Sequence, residues 1–249
     1  MARYGQYCPI TRSLELLGDR WTLLIVRDLL LGAERFNEIA RGLPGLSRGL
    51  LSKRLDHLAR AGLVAHADGR YVPTQAGEEL RGVVFGLAEW GSRWAFGEPR
   101  ADELDATVLL WWIRGGMDPA AFGDRERTVV HVRFTSGTRR RYWLVVSRSD
   151  VSLCFTDPGF DVDLTVVGDL DVLYQVWEGR IEYGAAVRDR RLVVTGPTDL
   201  VRALPRSLLL SPVAPYVRQA LAREAGGQDP AREDTAREDT AREELAAVR

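Results

Sequence analysis

The chain has 249 residues, 45% of them hydrophobic, and a formal net charge of −1, so it is long enough for two domains and carries no overall bias toward nucleic acid. No apolar run is long enough and free enough of charge to span a bilayer: the longest, residues 108–113, stops at Arg114. The first ten residues hold no apolar leader segment and the two cysteines, Cys8 and Cys154, lie far apart, so a reducing, cytoplasmic location without a disulfide framework is expected. Arginine nearly replaces lysine, with Lys53 the single lysine, as expected of a GC-rich bacterial genome.

Cys8-Pro9 opens a helical pattern with Ile10, Leu14 and Leu17 on one face, ended by Gly18. Asp19 is placed to cap a second helix, residues 20–31, with Trp21, Leu24, Ile25 and Leu29 in its apolar stripe and Gly32 as its stop. A short helix over 35–41 turns Phe36, Ile39 and Ala40 inward, and Gly42-Leu43-Pro44-Gly45 breaks the pattern. Ser47 is a good N-cap for the next helix, in which Leu51, Leu55 and Leu58 share a face while Gly49, Ser52, Lys53 and Asp56 lie opposite and Arg48 and Arg54 flank them. Residues 34–60 hold six basic side chains (Arg35, Arg41, Arg48, Lys53, Arg54, Arg60) against three acids (Glu34, Glu38, Asp56), a local bias hidden in the overall charge. Gly62 ends this helix, a strand over 63–66 turns at Asp68-Gly69 and returns through Arg70-Tyr71-Val72, and Thr74 caps a long amphipathic helix reaching residue 95.

Helices, a tight turn, a further helix and a small hairpin make the order of a mainly α, winged helix-turn-helix domain. Its physics suits the reading of double-stranded DNA: the helix after the turn packs its apolar face inward and offers small and basic side chains to a groove. The candidate DNA-binding residues are Arg35, Ser47, Arg48, Gly49, Ser52, Lys53 and Arg54, with Arg70 at the hairpin tip. The blocks Tyr7-Cys8-Pro9-Ile10, residues 16–25, Arg35-Phe36-Asn37-Glu38-Ile39, Leu43-Pro44-Gly45-Leu46-Ser47 and residues 55–64 resemble the HxlR-type (MarR-like) winged-helix regulators. That resemblance implies a DNA operator as partner and a homodimer built on the first helix and on residues 74–95. Some members carry a cysteine at the place of Cys8 and use it to sense oxidants or aldehydes. A thiol at a helix start gains from the dipole, but a lone cysteine is also an ordinary small apolar residue, and both readings of Cys8 stand.

Residues 98–102 read as a linker, so residues 1–98 form the first expected domain. An apolar helix over 104–114 follows, then a short helix started by Asp118-Pro119. Four alternating runs centre on Val130-Val132-Phe134, Tyr142-Leu144-Val146, Val151-Leu153-Phe155 and Val162-Leu164-Val166. Asp169 is placed to cap a helix through Trp177, Leu192-Val193-Val194 is a last strand, and residues 197–210 are a helix. Strands followed by helices indicate an α+β domain over 99–222 with one sheet face covered. Asp163-Leu164-Thr165-Val166, residues 169–180 and Leu192 to Gly196 resemble the SCP2-like (sterol carrier protein 2-like) fold, which implies an apolar cavity for a lipid-like or other apolar small-molecule effector. Trp111, Trp112, Trp143, Phe155 and Trp177 are the candidate lining, with a filled core of the same aromatics as the alternative. His131, Arg133 and Arg139-Arg140-Arg141 make a basic strand end, read as a solvated hairpin. Residues 223–249 repeat Ala-Arg-Glu-Asp-Thr with a period of five and read as an acidic, low-complexity tail without fixed structure.

Nothing in the chain has the spacing of a phosphate loop, a metal site or a nucleophile with a partnered histidine, so neither an enzyme nor a metal or other cofactor is expected. The carboxylate pairs Glu78-Glu79 and Asp161/Asp163 read as a helix start and as solvent-facing strand positions. The expected function is a dimeric, DNA-binding bacterial transcriptional regulator controlled by an apolar effector. The alternative is a lipid-binding or scaffold protein whose first domain only dimerises.

Overall fold

The computed structural model describes residues 4–226. The repeats over 231–249, and with them most of the stretch read as an acidic tail, lie outside the described residues. The described residues cluster into two compact units: 4–87 with Thr107–Trp112, and Ala88–Ala106 with 113–226.

The first unit holds α1 (Pro9–Leu17), α2 (Thr22–Leu30), α3 (Phe36–Gly42), α4 (Arg48–Arg60), β1 (Val64–Ala67), β2 (Arg70–Pro73), α5 (Gln75–Glu79) and the first half of α6 (Arg81–Trp94). Its core is Ile25, Val26, Leu29, Ile39, Leu43, Leu46 and Val64 closed by Leu51, Leu55 and Leu58 of α4. Those three leucines are each 0% exposed, and burial of such side chains contributes about 1.5–3 kcal/mol apiece. Gly45, at φ +84°, makes the turn between α3 and α4 in a conformation that a side chain disfavours. The Ser47 hydroxyl accepts a hydrogen bond from the Leu50 amide and starts α4. β1 and β2 pair antiparallel about Asp68-Gly69, both at positive φ as a tight hairpin turn requires.

Two local expectations change here. Trp21, not Asp19, occupies the N-cap of α2, in the left-handed region at φ +79°, and the Asp19 carboxylate pairs with Arg54. The helix expected over 74–95 is two, α5 and α6. Thr74 caps the first as expected, but at Leu80 the amide bonds to Gly77 O, three residues back, and the ladder breaks.

The second unit contains a five-stranded mixed sheet of β3 (Arg127–Phe134), β4 (Arg141–Ser147), β5 (Val151–Cys154), β6 (Leu164–Gly168) and β7 (Leu192–Thr195), in the order β5-β4-β3-β6-β7. β3 and β6 are parallel and every other pair is antiparallel. One face is the buried row Val130, Val132, Leu144, Val146, Leu164 and Val166. The helices α7 (Ala106–Gly115), α8 (Leu170–Trp177), α9 (Tyr183–Arg188), α10 (Thr198–Ser207) and α11 (Ala214–Ala225) complete the chain, α8, α10 and α11 each burying an apolar stripe. Asp118 starts a 3-10 turn at Pro119–Phe122 by accepting from the Ala120 amide, and Ala101–Glu103 is a second such turn within the expected linker.

The α+β reading holds, with differences in detail. α9 and α11 have no counterpart in the sequence pattern. α11 buries only Ala214, Val217 and Ala220, too small a stripe to mark a helix by hydrophobic period, and it runs into the stretch read as tail. Asp169 stands at the N-cap of α8 but makes no cap bond; the Thr135 hydroxyl donates to its carboxylate instead. Asp163 is no free strand carboxylate: it accepts from the Val129 amide at 2.8 Å.

Candidate nucleic-acid interface

The inward leucines of α4 decide what the helix shows outside. With Leu51, Leu55 and Leu58 buried, Gly49, Ser52, Lys53 and Asp56 are exposed along the opposite face. A Cβ on Gly49 would meet nothing within 4 Å among the described residues, so this point of the first turn of α4 is open. Ser52 and Lys53 are exposed, and no ion pair of Lys53 forms among the described residues.

The other candidates are partly spoken for. Arg48 donates to Asn37 Oδ1 at 2.8 Å and lies 4.8 Å from the Phe36 ring centroid, which holds it across the start of α3 while leaving it exposed. Arg54 is more enclosed: its side chain is only 20% exposed, it forms an ion pair with Asp19, and its Nε is buried. The pair ties α4 to the corner between α1 and α2. Ser47 spends its hydroxyl as the α4 cap, although the residue itself is exposed.

Arg70, at the tip of the hairpin, forms an isolated bridge with Arg35. The Tyr71 amide donates to Glu34 O at 2.7 Å, and Arg70 pairs with Glu34 at 2.9 Å. The hairpin is thereby tied to the segment before α3, with His66 and Tyr71 stacked on it at 4.1 Å. Both arginines stay exposed; the Arg35 amide donates to Glu38 at 2.9 Å and starts α3. The structure thus gathers Arg35, Arg48, Gly49, Ser52, Lys53 and Arg70 as exposed residues on the α3, α4 and hairpin elements, with Arg54 ion-paired to Asp19 beside them.

Cys8 stands at the N-cap of α1, half-buried, where the amides of Thr11 and Ile10 hold its thiol below the ordinary value. Ile10 and Leu14, expected on one face with Leu17, are 71% and 47% exposed. On α6, Val83, Leu87, Trp90 and Trp94 form a second exposed stripe at helical spacing, and no residue of that helix is buried.

Sequence reasoning missed Asp28. It is fully buried on α2, accepts from Arg27 at 2.8 Å through one carboxylate oxygen and leaves the other without a hydrogen bond. Burial raises it to about 6 against the opposing pull of Arg27. An acidic residue in an apolar stripe is a local signal, since Asp28 falls between Ile25 and Leu29.

The aromatic candidates for a ligand pocket do not converge. Trp111 and Trp112 belong to the first unit, where Arg41 and Arg27 lie over their rings at 5.0 and 5.3 Å. Trp143 is buried and stacks on His131 at 4.9 Å, while Phe155 is exposed and edges Tyr142. Trp177 alone of the five lines a described cavity, of about 330 Å³, together with Leu173, Val176, Ile181, Leu208 and Leu209. Arg218 and Glu182, also in its lining, pair at 3.2 Å.

Residues 16–98 match the family model described as HxlR-like helix-turn-helix. YvaP of Bacillus subtilis, an uncharacterized HTH-type transcriptional regulator, is 33% identical over 98 residues, which are 36% of this chain and 91% of YvaP. The chain belongs to the HxlR-like helix-turn-helix family. An uncharacterized HTH-type transcriptional regulator of Mycobacterium tuberculosis is 39% identical over 92 residues, which are 34% of this chain. The match spans 58% of that mycobacterial relative's own length. Among solved structures, sterol carrier protein 2 like 2 of Aedes aegypti aligns at 17% identity over 41% of this chain and 94% of its own, with a TM-score of 0.33. No described helix is long and apolar enough to cross a membrane.

Proposed function

We propose that the chain is a dimeric, cytoplasmic regulator of transcription that reads duplex DNA with α4 and takes an apolar effector in its second unit. One observation carries the DNA reading. The outer face of a helix whose inner face is locked by three fully buried leucines offers small and basic side chains, Gly49, Ser52 and Lys53, with no partner for Lys53 among the described residues. Arg48 beside them and Arg35 with Arg70 on the hairpin side supply phosphate or base contacts.

The exposed stripes of α1 and α6 support the dimer. Trp90 is 59% exposed and Leu87 50%, and an apolar row of that kind at helical spacing is a surface that a second copy covers. Two recognition helices held by one dimer then match two half-sites, and their spacing is the quantity an effector biases.

The cavity beside Trp177 supports the effector. Its walls are aliphatic and aromatic, its volume of about 330 Å³ suits a small molecule, and Arg218 offers a charged group to a polar end. The same cavity is what a lipid-carrying protein would need, and DNA binding separates the two readings. Selection of genomic fragments with the full chain tests the proposal: one recurrent duplex bound in a salt-dependent way is expected, and absence of any salt-dependent binding defeats it. Native mass spectrometry tests the effector, with a bound apolar molecule expected on the folded chain and repeated absence of added mass counting for a filled core.

A further inference from the structure

The order of the sheet assembles a rim of arginines from two distant stretches of sequence. β3 ends at Phe134, β4 begins at Arg141, β6 ends at Gly168 and β7 begins at Leu192, and the register sets all four at the same end of the sheet. Arg133 of β3 lies directly opposite Arg141 of β4, and Arg139 and Arg140 precede it in the hairpin. On the other side, Gly168 pairs with Leu192, and a Cβ on Gly168 would stand 2.6 Å from Arg191 O, so the segment carrying Arg190 and Arg191 is pressed against the end of β6.

All six arginines are exposed, and none forms an ion pair among the described residues. The carboxylates at this end are Asp157, Asp169, Asp171 and Asp189, and Asp169 is occupied by the Thr135 hydroxyl. Like charges directly opposite on neighbouring strands are destabilising, so the Arg133–Arg141 pair is kept at a cost. The field reaches the sheet itself. Burial holds His131 below its ordinary value and Arg133 and Arg141 push the same way, against Asp157.

We infer that this rim is a second duplex-DNA contact, binding the phosphate backbone independently of sequence and adding phosphate contacts to those of the first unit. The inference rests on the DNA-binding reading above for its partner and on the rim's own charge for its chemistry. Fork-shaped guanidiniums on a rigid sheet end match phosphate oxygens, and each contact made releases counterions. No base-edge reading is implied, because the rim offers neither a helix nor a strand to a groove.

The test is a salt titration of binding by the full chain to long duplex DNA of unrelated sequence. The chains compared are the unaltered one, Lys53→Glu, the rim variant Arg139→Gln/Arg140→Gln/Arg191→Gln, and the combination. The rim variant is expected to flatten the slope of log affinity against log salt by about 2–3, with or without Lys53→Glu. Slopes equal to those of the parent chains overturn the rim. A rim effect that survives while Lys53→Glu changes nothing leaves the rim standing and removes the reading of duplex DNA by α4. A chain lacking residues 227–249 completes the set, since that segment carries seven acids against four arginines. If the rim substitutions matter only after its removal, the chain's own tail is the occupant and the DNA inference fails. Binding of no DNA at all by the unaltered chain overturns both proposals.

Discussion

Arg54 of α4 is ion-paired to Asp19, 35 residues earlier, at the corner between α1 and α2. Lys53, its neighbour in sequence, has no such tie. Two adjacent cations on one helix therefore do different work, one fixing the helix to the domain and the other facing outward.

The pair predicts a separation of stability from binding. Arg54→Ala is expected to lower the unfolding free energy by about 1–2 kcal/mol, discounted from a fully buried pair because Asp19 is 36% exposed. Urea unfolding of Arg54→Ala, Asp19→Ala and the double variant measures this. A coupling energy near zero would show that the pair contributes nothing.

Lys53→Ala is expected to leave stability unchanged within about 0.5 kcal/mol, as an exposed substitution does. It should weaken operator binding and reduce the salt slope by about one. Fluorescence anisotropy across a salt series reads the slope, and an unchanged value takes Lys53 off the list of phosphate contacts.

Dimerisation should fail when the α6 stripe is charged. Leu87→Glu/Trp90→Glu is expected to give a monomer of intact secondary structure that has lost most of its operator affinity. Sedimentation equilibrium with circular dichroism decides this, and a variant that still sediments as a dimer places the interface elsewhere.

Asp28 makes stability depend on pH with a defined sign. Its folded value of about 6 lies above the ordinary 3.8, so the folded state binds more protons across that interval. Its contribution is most favourable below about pH 4 and is lost as pH rises through 6, with an upper bound of roughly 3 kcal/mol for the two-unit difference. Asp28→Asn, which keeps the shape without the charge, is expected to gain on the parent chain at pH 7.5 and to lose the decline between pH 4 and 6. Unfolding free energies at several pH values check this, and parallel curves for the two chains would place the titration elsewhere.

Much of the fold could be read locally. The spacing of Leu51, Leu55 and Leu58, the Ser47 cap and the turn at Gly45 are short-range features, and each marks the recognition helix without help from the rest of the chain. The alternating runs marked four of the five sheet strands in the same way, and β7 was legible as a short apolar run. α9 and α11 were not legible, because a six-residue helix and one that buries mainly alanine leave almost no hydrophobic period.

Residue identity and local spacing thus determined the two domain types and the face of α4 that turns outward. Periodicity records which side of an element is buried, and for α4 that was enough to expose Gly49, Ser52 and Lys53. Only the tertiary structure decided that Arg54 is an anchor, that Trp111 and Trp112 lie under Arg41 and Arg27, and that α6 carries an uncovered apolar stripe. It also decided that Arg139 and Arg191, separated by half a hundred residues, stand on one sheet end. Ion pairs, aromatic stacking and sheet order depend on distances in space between segments far apart in the chain, and no local pattern encodes them.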